Sequence, residues 1–152
     1  MTFKEYVASL AKELGVEIAI EGDACAFSLG SAEGDKVEIL LPGCDARGAL
    51  LMCADLAEPP PEGRERLFQT LLEANDLYGD TAGATLSLVP RTGHVRLQRY
   101  DDMNTLAGIG PAKALIAFAD TATAWKRLVA DFRAAPPKGS DGMSTPPGAM
   151  LV

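Results

Sequence analysis

The sequence predicts an α+β domain, in which a twisted antiparallel sheet is packed by helices. Segments with apolar residues at helical spacing alternate along the chain with short segments in which every second residue is apolar. The connections between neighbouring predicted strands are short and contain glycine or proline, which favours antiparallel pairing over the long crossovers of a parallel sheet. Taken in order, these segments predict α-β-β-β-α-β-β-α.

The first predicted element is an amphipathic helix over residues 2–14. Its apolar positions recur at helical spacing and are Phe3, Val7, Leu10 and Leu14. Thr2 followed by Glu5 is the pattern of a capping box, and Gly15 is placed to end the helix in a left-handed conformation. The two signals predict where this helix begins and ends.

Three strands are predicted next. The apolar residues of the first two are Cys25, Phe27 and Leu29, then Val37, Ile39 and Leu41. Pro42 and Gly43 predict the end of the second strand, because proline cannot donate to a sheet ladder. Residues 49–56 are apolar at both alternating positions except Asp55, which predicts a central strand buried on both faces.

The second half of the chain predicts a helix, a hairpin and a last helix. Three prolines at 59–61 precede the second helix, which ends near Asn75 and has the apolar seam Leu67, Phe68, Leu71 and Leu72. Residues 84–89 and 95–99 alternate, and the turn between them contains Pro90 and Gly93. Residues 101–110 look irregular. Pro111 suits the start of the last helix, on which Trp125 is expected to pack with its N–H bonded.

Composition and charge limit the class of protein and its partners. The chain of 152 residues is 47% hydrophobic and 23% charged, which fits one globular domain, assigned to residues 1–133. Proline, glycine and small polar residues predict a disordered tail over 134–152. The net charge of −7 argues against nucleic acid and anionic membranes as main partners. The first residues have the pattern of neither a signal peptide nor a membrane span, so a cytoplasmic location is expected.

No residue pattern predicts catalysis, a cofactor or a metal site. The single histidine, His94, lies beside a turn without a nucleophile or an orienting partner nearby in sequence, and is interpreted as a solvent-facing strand residue. Gly108 and Gly110 lack the third glycine of a dinucleotide motif, and Asp101 with Asp102 fits a capping or solvated turn. Three widely spaced cysteines without a CxxC pair are interpreted as reduced thiols: Cys25, Cys44 and Cys53.

Four stretches of the sequence resemble the Tir chaperone (CesT-like) family of class I type III secretion chaperones. They are residues 71–75 (LLEAN), 83–88 (GATLSL), 93–97 (GHVRL) and 122–128 (ATAWKRL). The order of predicted elements also matches that family over residues 2–133. Two features depart from the family's pattern, namely residues 108–111 ahead of the last helix and the proline- and glycine-rich tail.

The resemblance implies a homodimer that binds the N-terminal segment of a secreted effector in extended form and keeps it competent for export. It implies that no nucleotide or metal is used. The residue patterns and the charge, for their part, lead us to expect no enzymatic activity, no nucleic acid partner and no membrane insertion. Two other interpretations stay open. One is a regulatory or scaffold dimer of the same fold without a secreted client, and the other is an enzyme whose polar site the sequence does not reveal.

Two sets of residues are the candidate sites. The effector is expected on the first helix and the first two strands, at Phe3, Val7, Phe27, Leu29, Ile39 and Leu41. The dimer interface is expected on the second helix and the hairpin, at Leu67, Leu71, Asn75, Leu77, Tyr78, Leu86 and Leu88. The alternative for both sets is the core of one chain, because one face of every strand and helix must be buried.

Overall fold

The computed structural model describes residues 1–134, with side chains as far as residue 132. The helices are α1 (Phe3–Leu14), α2 (Arg64–Ala74), α3 (Met103–Ile109) and α4 (Pro111–Ala134). The strands are β1 (Ala24–Gly30), β2 (Lys36–Cys44), β3 (Ala49–Ala57), β4 (Thr85–Leu88) and β5 (Val95–Asp102). Single 3₁₀ turns follow β2 at Asp45–Arg47 and α2 at Asp76–Tyr78.

The strands form one five-stranded sheet in the order β1-β2-β3-β5-β4, and every neighbouring pair is antiparallel. The expected α+β class, antiparallel sheet and hairpin are therefore confirmed. The edges of the sheet are β1, which pairs with β2 in an unbroken register from Ala24 to Gly30, and the short β4. A bulge between Asp55 and Ala57 interrupts the pairing of β3 with β5.

All four helices pack on one face of the sheet and enclose a single core. Strand residues on that face are buried, among them Val37, Ile39, Leu41, Met52 and Leu97. The helices bury Phe3, Val7, Leu10, Leu67, Leu71, Leu106, Leu115 and Val129 against them. The opposite face of the sheet carries no helix in the described part of the chain.

The predicted helix ends form as the sequence indicates. The Thr2 hydroxyl accepts from the Glu5 N–H at 3.3 Å, and the Glu5 carboxylate accepts from the Thr2 N–H at 2.7 Å, which completes the capping box. Hydrogen bonding of the Glu5 carboxylate to the backbone N–H and the side chain of Thr2 lowers the pKa of Glu5. Gly15 closes α1 with φ of 67°. Glu13 of α1 also accepts from the Ala112 N–H at 2.8 Å, and so caps the start of α4.

One turn of α4 joins two distant parts of the chain. Trp125 donates its indole N–H to the Asp80 carbonyl at 3.0 Å, as the sequence predicts for a packed tryptophan. Lys126 donates to the Lys36 carbonyl at 2.6 Å. Arg127 pairs with Glu33 and, at 2.6 Å, with Asp35 in the β1–β2 turn, contacts that raise its pKa. Three successive residues thus hold the β1–β2 turn and the loop ahead of β4.

Three local expectations are wrong. The second strand does not end at Pro42, because β2 continues to Cys44 while Gly43 makes room for the Phe3 ring. The strand β3 is central, but helices cover only one of its faces. Residues 103–109 are not irregular. They form α3, whose first turn is capped by Asp102 accepting from the Thr105 N–H at 2.9 Å. The tail expected beyond residue 133 lies outside the described residues.

Candidate functional site: an open sheet face and its edges

Within the described residues, no helix covers the second face of the sheet. We call it the open face, and its residues include Ala26, Ser28, Glu38, Leu40, Leu51, Cys53, Asp55, Thr85, Ser87, Arg96, Gln98 and Tyr100. Leu40 is 44% exposed and Tyr100 58% exposed, although both lie within strands. An apolar side chain exposed on a sheet is typical of a surface that binds another chain.

A cleft of about 400 Å³ lies at one end of the open face, where β5 extends beyond β4. Tyr78 and Tyr100 line it together with Leu51, Gly83, Thr85, Gln98 and Arg99. The Arg99 guanidinium is occupied by the Asp101 carboxylate and by the Ala82 carbonyl at 3.3 Å. The cleft therefore offers two tyrosine rings within a mostly polar lining, and its guanidinium is already paired.

The loop between α2 and β4 holds two apolar side chains in solvent. Leu77 is 89% exposed and Tyr78 54% exposed. Leu77, Tyr78 and Ala82 have positive φ of 53°, 57° and 51°, a conformation that costs energy for residues other than glycine. The bond from Trp125 to Asp80 and the buried Thr81 hold this loop against the core. A strained and fixed loop that exposes Leu77 and Tyr78 presents them as a rigid contact surface.

The structure separates the predicted effector-binding residues into two groups. Phe3, Val7, Ile39 and Leu41 are at most 2% exposed and belong to the core of the single chain. Phe27 and Leu29 are half-buried on the edge strand β1. Only Phe27 and Leu29 can touch a second molecule without a rearrangement of the core.

The predicted dimer residues divide in the same way. Leu67, Leu71 and Leu86 are buried in the core of one chain. Asn75 is half-buried, and its amide bonds both backbone groups of Leu86, with Oδ1 accepting at 2.8 Å and Nδ2 donating at 3.0 Å. The remaining three, Leu77, Tyr78 and Leu88, are exposed and available to a partner.

Sequence reasoning did not nominate several apolar residues that the structure exposes. Leu40, Leu72 and Tyr100 are 44%, 72% and 58% exposed. Leu72 had been assigned to the apolar seam of the second helix, and Tyr100 directly follows a predicted strand. Leu40 lies between Ile39 and Leu41, so its side chain points to the other face of the sheet. Leu40 could have been found as an apolar residue at a position where its neighbours Lys36 and Glu38 are charged.

Two contacts between polar side chains lie on or beside the open face. Arg96 donates to Asp55 at 2.6 Å, which raises the pKa of Arg96. His94 lies with its Nε2 3.5 Å from the Glu58 carboxylate. Burial raises the pKa of the Cys25 thiol to about 11, so that thiol is not ionised at neutral pH. Within residues 1–132 no three metal-ligating side chains are grouped.

Comparison with models of protein families identifies the family of this chain. The sequence model of the Tir chaperone protein (CesT) family matches residues 5–126. The chain belongs to this family. The resemblance seen in the sequence is thereby confirmed, and the family is one of chaperones. The comparison with curated proteins found no match.

Three solved structures resemble this chain over most of its length. A chain from the HopA1–SchA chaperone–effector complex has 18% identity and a TM-score of 0.62, covering 88% of this chain and 94% of that one. A chain from the ExsC–ExsE complex has 21% identity and a TM-score of 0.60, covering 85% and 96%. A third chain comes from the heterodimeric ExoU–SpcU complex of the Pseudomonas aeruginosa type III secretion system. It has 18% identity and a TM-score of 0.55, and the match covers 84% of this chain and 93% of that one.

These likenesses show the fold, and they agree with the element order expected from the sequence. The helix α3 and the 3₁₀ turns are additions to that order. Among the described residues, no helix is long and apolar enough to span a membrane.

Proposed function

We propose that this CesT-family protein is a type III secretion chaperone that binds the N-terminal segment of an effector in extended form. The observation that carries the proposal is a sheet covered by helices on one face only, in a chain that belongs to a chaperone family. Similar folds occur in chaperone–effector complexes. The exposed face and edge of such a sheet can hold an unfolded segment by strand pairing and by apolar contacts.

The client would contact the open face and the edge strand β1. Leu40 is exposed beside Ala26 and the nearly buried Cys53, and these three form a shallow apolar surface with the Asp55–Arg96 ion pair at its border. Phe27 and Leu29 add half-buried apolar groups at the edge on the helical side of β1. An extended client that crosses the edge can place alternate side chains on the two sides.

We also propose a homodimer that uses the loop after α2 and the neighbouring cleft. Leu72, Leu77 and Tyr78 are exposed within seven residues, and Tyr78 shares the cleft with Tyr100. Exposed tyrosines are typical of the centre of an interface, and apolar side chains beside them add contact area. The protein and its client would meet in the cytoplasm, without a cofactor or an enzymatic step.

Co-expression with an effector encoded beside the gene tests the chaperone role. We expect a stable complex that contains the N-terminal region of the effector, and an effector that precipitates or is degraded without the chaperone. Leu40→Asp places a charge on the open face and should weaken the complex by at least about tenfold, because it would oppose an apolar contact with a carboxylate. Recovery of no effector would favour a regulatory or scaffold dimer.

Two matched substitutions test the dimer surface. Leu77→Asp changes a side chain that is 89% exposed, so the fold should survive while light scattering reports a monomer. Ile116→Asp on α4 is the control, because Ile116 is 49% exposed and lies outside both proposed surfaces. The dimer proposal fails if Leu77→Asp and Ile116→Asp have the same mass as the wild type.

A further inference from the structure

A tight hairpin turn precedes β1, but only one of its two arms is a strand. Glu21 and Ala24 exchange two backbone hydrogen bonds, at 2.8 and 3.1 Å, across Gly22 and Asp23. Gly22 has φ of 62° at the first central position, a place that glycine favours in two-residue hairpin turns. After the turn the chain continues as β1 and pairs with β2. Ahead of the turn, the described chain forms no strand.

The arm ahead of the turn is residues 16–21, which we call the strap. Within the described structure, residues 17–20 make no backbone hydrogen bond. Ile18 and Ile20 are half-buried and pack against the core, whereas Glu17, Ala19 and Glu21 are exposed. This alternation is typical of a strand with one buried face. The strap therefore has the side-chain pattern of a strand without the hydrogen bonds of one.

The outer edge of β1 offers the hydrogen bonds that the strap lacks. Because Ala24 bonds to Glu21, its N–H and C=O point away from β2. Alternate residues of an antiparallel strand share this orientation, so the backbone groups of Ala26 and Ser28 also point outward. In the described chain no residue pairs with these groups on that side.

The two edges of the sheet differ in how they are protected. Edge strands of soluble proteins are usually short, charged, bulged or covered. The strand β4 has only four residues, and the Asn75 amide bonds both backbone groups of Leu86. The strand β1 has seven residues without a charge or a proline, and its register with β2 has no bulge. A cover is therefore the protection that remains for β1, and the strap is joined directly to it.

The turn determines the register in which the strap and β1 would pair. Continuation of the hairpin from the Glu21–Ala24 pair places Ala19 opposite Ala26 and Glu17 opposite Ser28. These are the residues of β1 whose N–H and C=O point outward. Each such pair exchanges two hydrogen bonds in an antiparallel ladder.

The side chains of the strap already face the direction that this register requires. Ile20 and Ile18 would lie opposite Cys25 and Phe27. Cys25 belongs to the core and Phe27 packs against it, as Ile18 and Ile20 do in the described structure. Pairing thus brings the two backbones together without moving a side chain to the other face of the sheet.

We infer that the strap closes onto β1 by continuing this hairpin and so controls access to the edge of the sheet, the described arrangement being its open form. Closure occupies the outward groups of Ala26 and Ser28, so another chain can pair there only after the strap opens. The closed strap adds only two bonded pairs, and so short a pairing is marginally stable in water, which allows it to open. Gly15 and Gly22, with φ of 67° and 62° and open space around each, flank the strap as hinges.

Hydrogen exchange measured by NMR tests closure on the full chain without a client. Ala19→Pro removes an N–H that has no partner in the described structure and that closure would use. Ala19→Thr keeps this N–H and adds a β-branched side chain, which favours a strand. We expect the amides of Ala26 and Ser28 to exchange at least about fivefold faster in Ala19→Pro than in the wild type, and more slowly in Ala19→Thr.

The amides of Cys25 and Phe27 are the internal control, because they point towards β2. Their unchanged exchange shows that β1 itself is intact in each variant. Equal exchange of Ala26 and Ser28 in the wild type and in Ala19→Pro would then overturn the inference. If exchange at Cys25 and Phe27 rises in Ala19→Pro, the fold is disturbed and cross-linking decides.

Cross-linking tests the register. Ala19→Cys with Ala26→Cys joins two exposed positions that closure places opposite each other, whereas Ala19→Cys with Ser28→Cys is out of register. Opposite residues of a bonded pair have Cα atoms about 5.5 Å apart, which suits a disulfide. In oxidised glutathione we expect the first pair to cross-link at least about tenfold faster than the second. Equal rates would contradict the proposed closure.

The role of the strap as a gate rests on the proposed chaperone function, whereas its closure does not. The effector recovered in co-expression should bind the cross-linked Ala19→Cys and Ala26→Cys chain at least about tenfold more weakly than the same chain after reduction. Equal binding would overturn the gating role. If no effector is recovered but Ala26 and Ser28 are protected, closure stands and the chaperone role falls. If an effector binds and these amides are not protected, the chaperone role stands and the strap inference falls.

Discussion

Replacing Asn75 by leucine should destabilise the fold through the edge strand β4. Asn75→Leu leaves the volume of the side chain similar but removes both hydrogen bonds to the backbone of Leu86. Leu86 is only 4% exposed. A backbone group left without a partner in a buried place costs about 1–3 kcal/mol, and half-buried Asn75 leaves water some access. We therefore expect a loss of about 2–3 kcal/mol in the free energy of unfolding.

The measurement is urea unfolding at 25 °C, supported by a thermal melt. A loss of that size lowers the melting temperature of a domain of this length by roughly 4–12 °C. Asn104→Leu is the matched control, since Asn104 is exposed on α3, and we expect a change within about 0.5 kcal/mol. If the two variants unfold at the same urea concentration with the same slope, the amide of Asn75 does not hold β4 in place.

Two further predictions concern the core. Gly43→Ala would place a Cβ 2.3 Å from the Phe3 ring, so we expect the free energy of unfolding in urea to fall by about 1–3 kcal/mol. Gly79→Ala is the control, because Gly79 has φ of −63° and its added Cβ would meet no atom within 4 Å, so the change should be near zero. Equal effects of the two substitutions would contradict the close packing of α1 on β2. Burial raises the pKa of Tyr6 from 10.0 to about 12 and that of Cys25 from 9.0 to about 11. The unfolded chain therefore loses these protons at lower pH than the folded chain does. The stability that the two groups contribute is complete below pH 9, and the free energy of unfolding should fall as the pH rises towards 12. Tyr6→Phe should flatten this loss in pH-dependent unfolding, and an unchanged slope would refute the assignment.

Local signals in the sequence predicted most of the fold because they act over a few residues. The capping box at Thr2, the glycine after α1 and the proline that opens α4 each fix the backbone at one point, and each forms as predicted. Alternation placed the strands, and antiparallel pairing followed from the short connections. The family was recognisable from the sequence because its pattern consists of residues that pack within short segments of the chain.

The errors arise where tertiary packing overrides a local signal. Pro42 does not end β2, because the pairing of β2 with β3 is interrupted at Pro42 while β1 still pairs on the other side. The helix α3 has only a short apolar pattern, and the capping or solvated turn expected at Asp101 and Asp102 did not by itself predict the helix that follows.

The candidate sites were harder to predict than the fold. Apolar residues that bind a partner and apolar residues that fill the core look alike in sequence, so Phe27 and Ile39 received the same assignment although β1 is an edge and β2 is not. Strand order determines which alternate residues are exposed, and strand order is not a local property. The effector-binding and dimer residues therefore remain predictions. The candidates that the structure leaves accessible are Phe27 and Leu29 for the effector, and Leu77, Tyr78 and Leu88 for the dimer.

The turn of α4 at Trp125, Lys126 and Arg127 limits how the sequence can vary in length. Each residue inserted into a helix rotates everything after it by about 100°. One insertion or deletion between Pro111 and Trp125 would turn the indole away from Asp80 and the guanidinium away from Asp35 at once. We expect homologues to keep this distance constant and to place their insertions in surface turns, which makes the spacing from Pro111 to Trp125 a reference for aligning distant relatives.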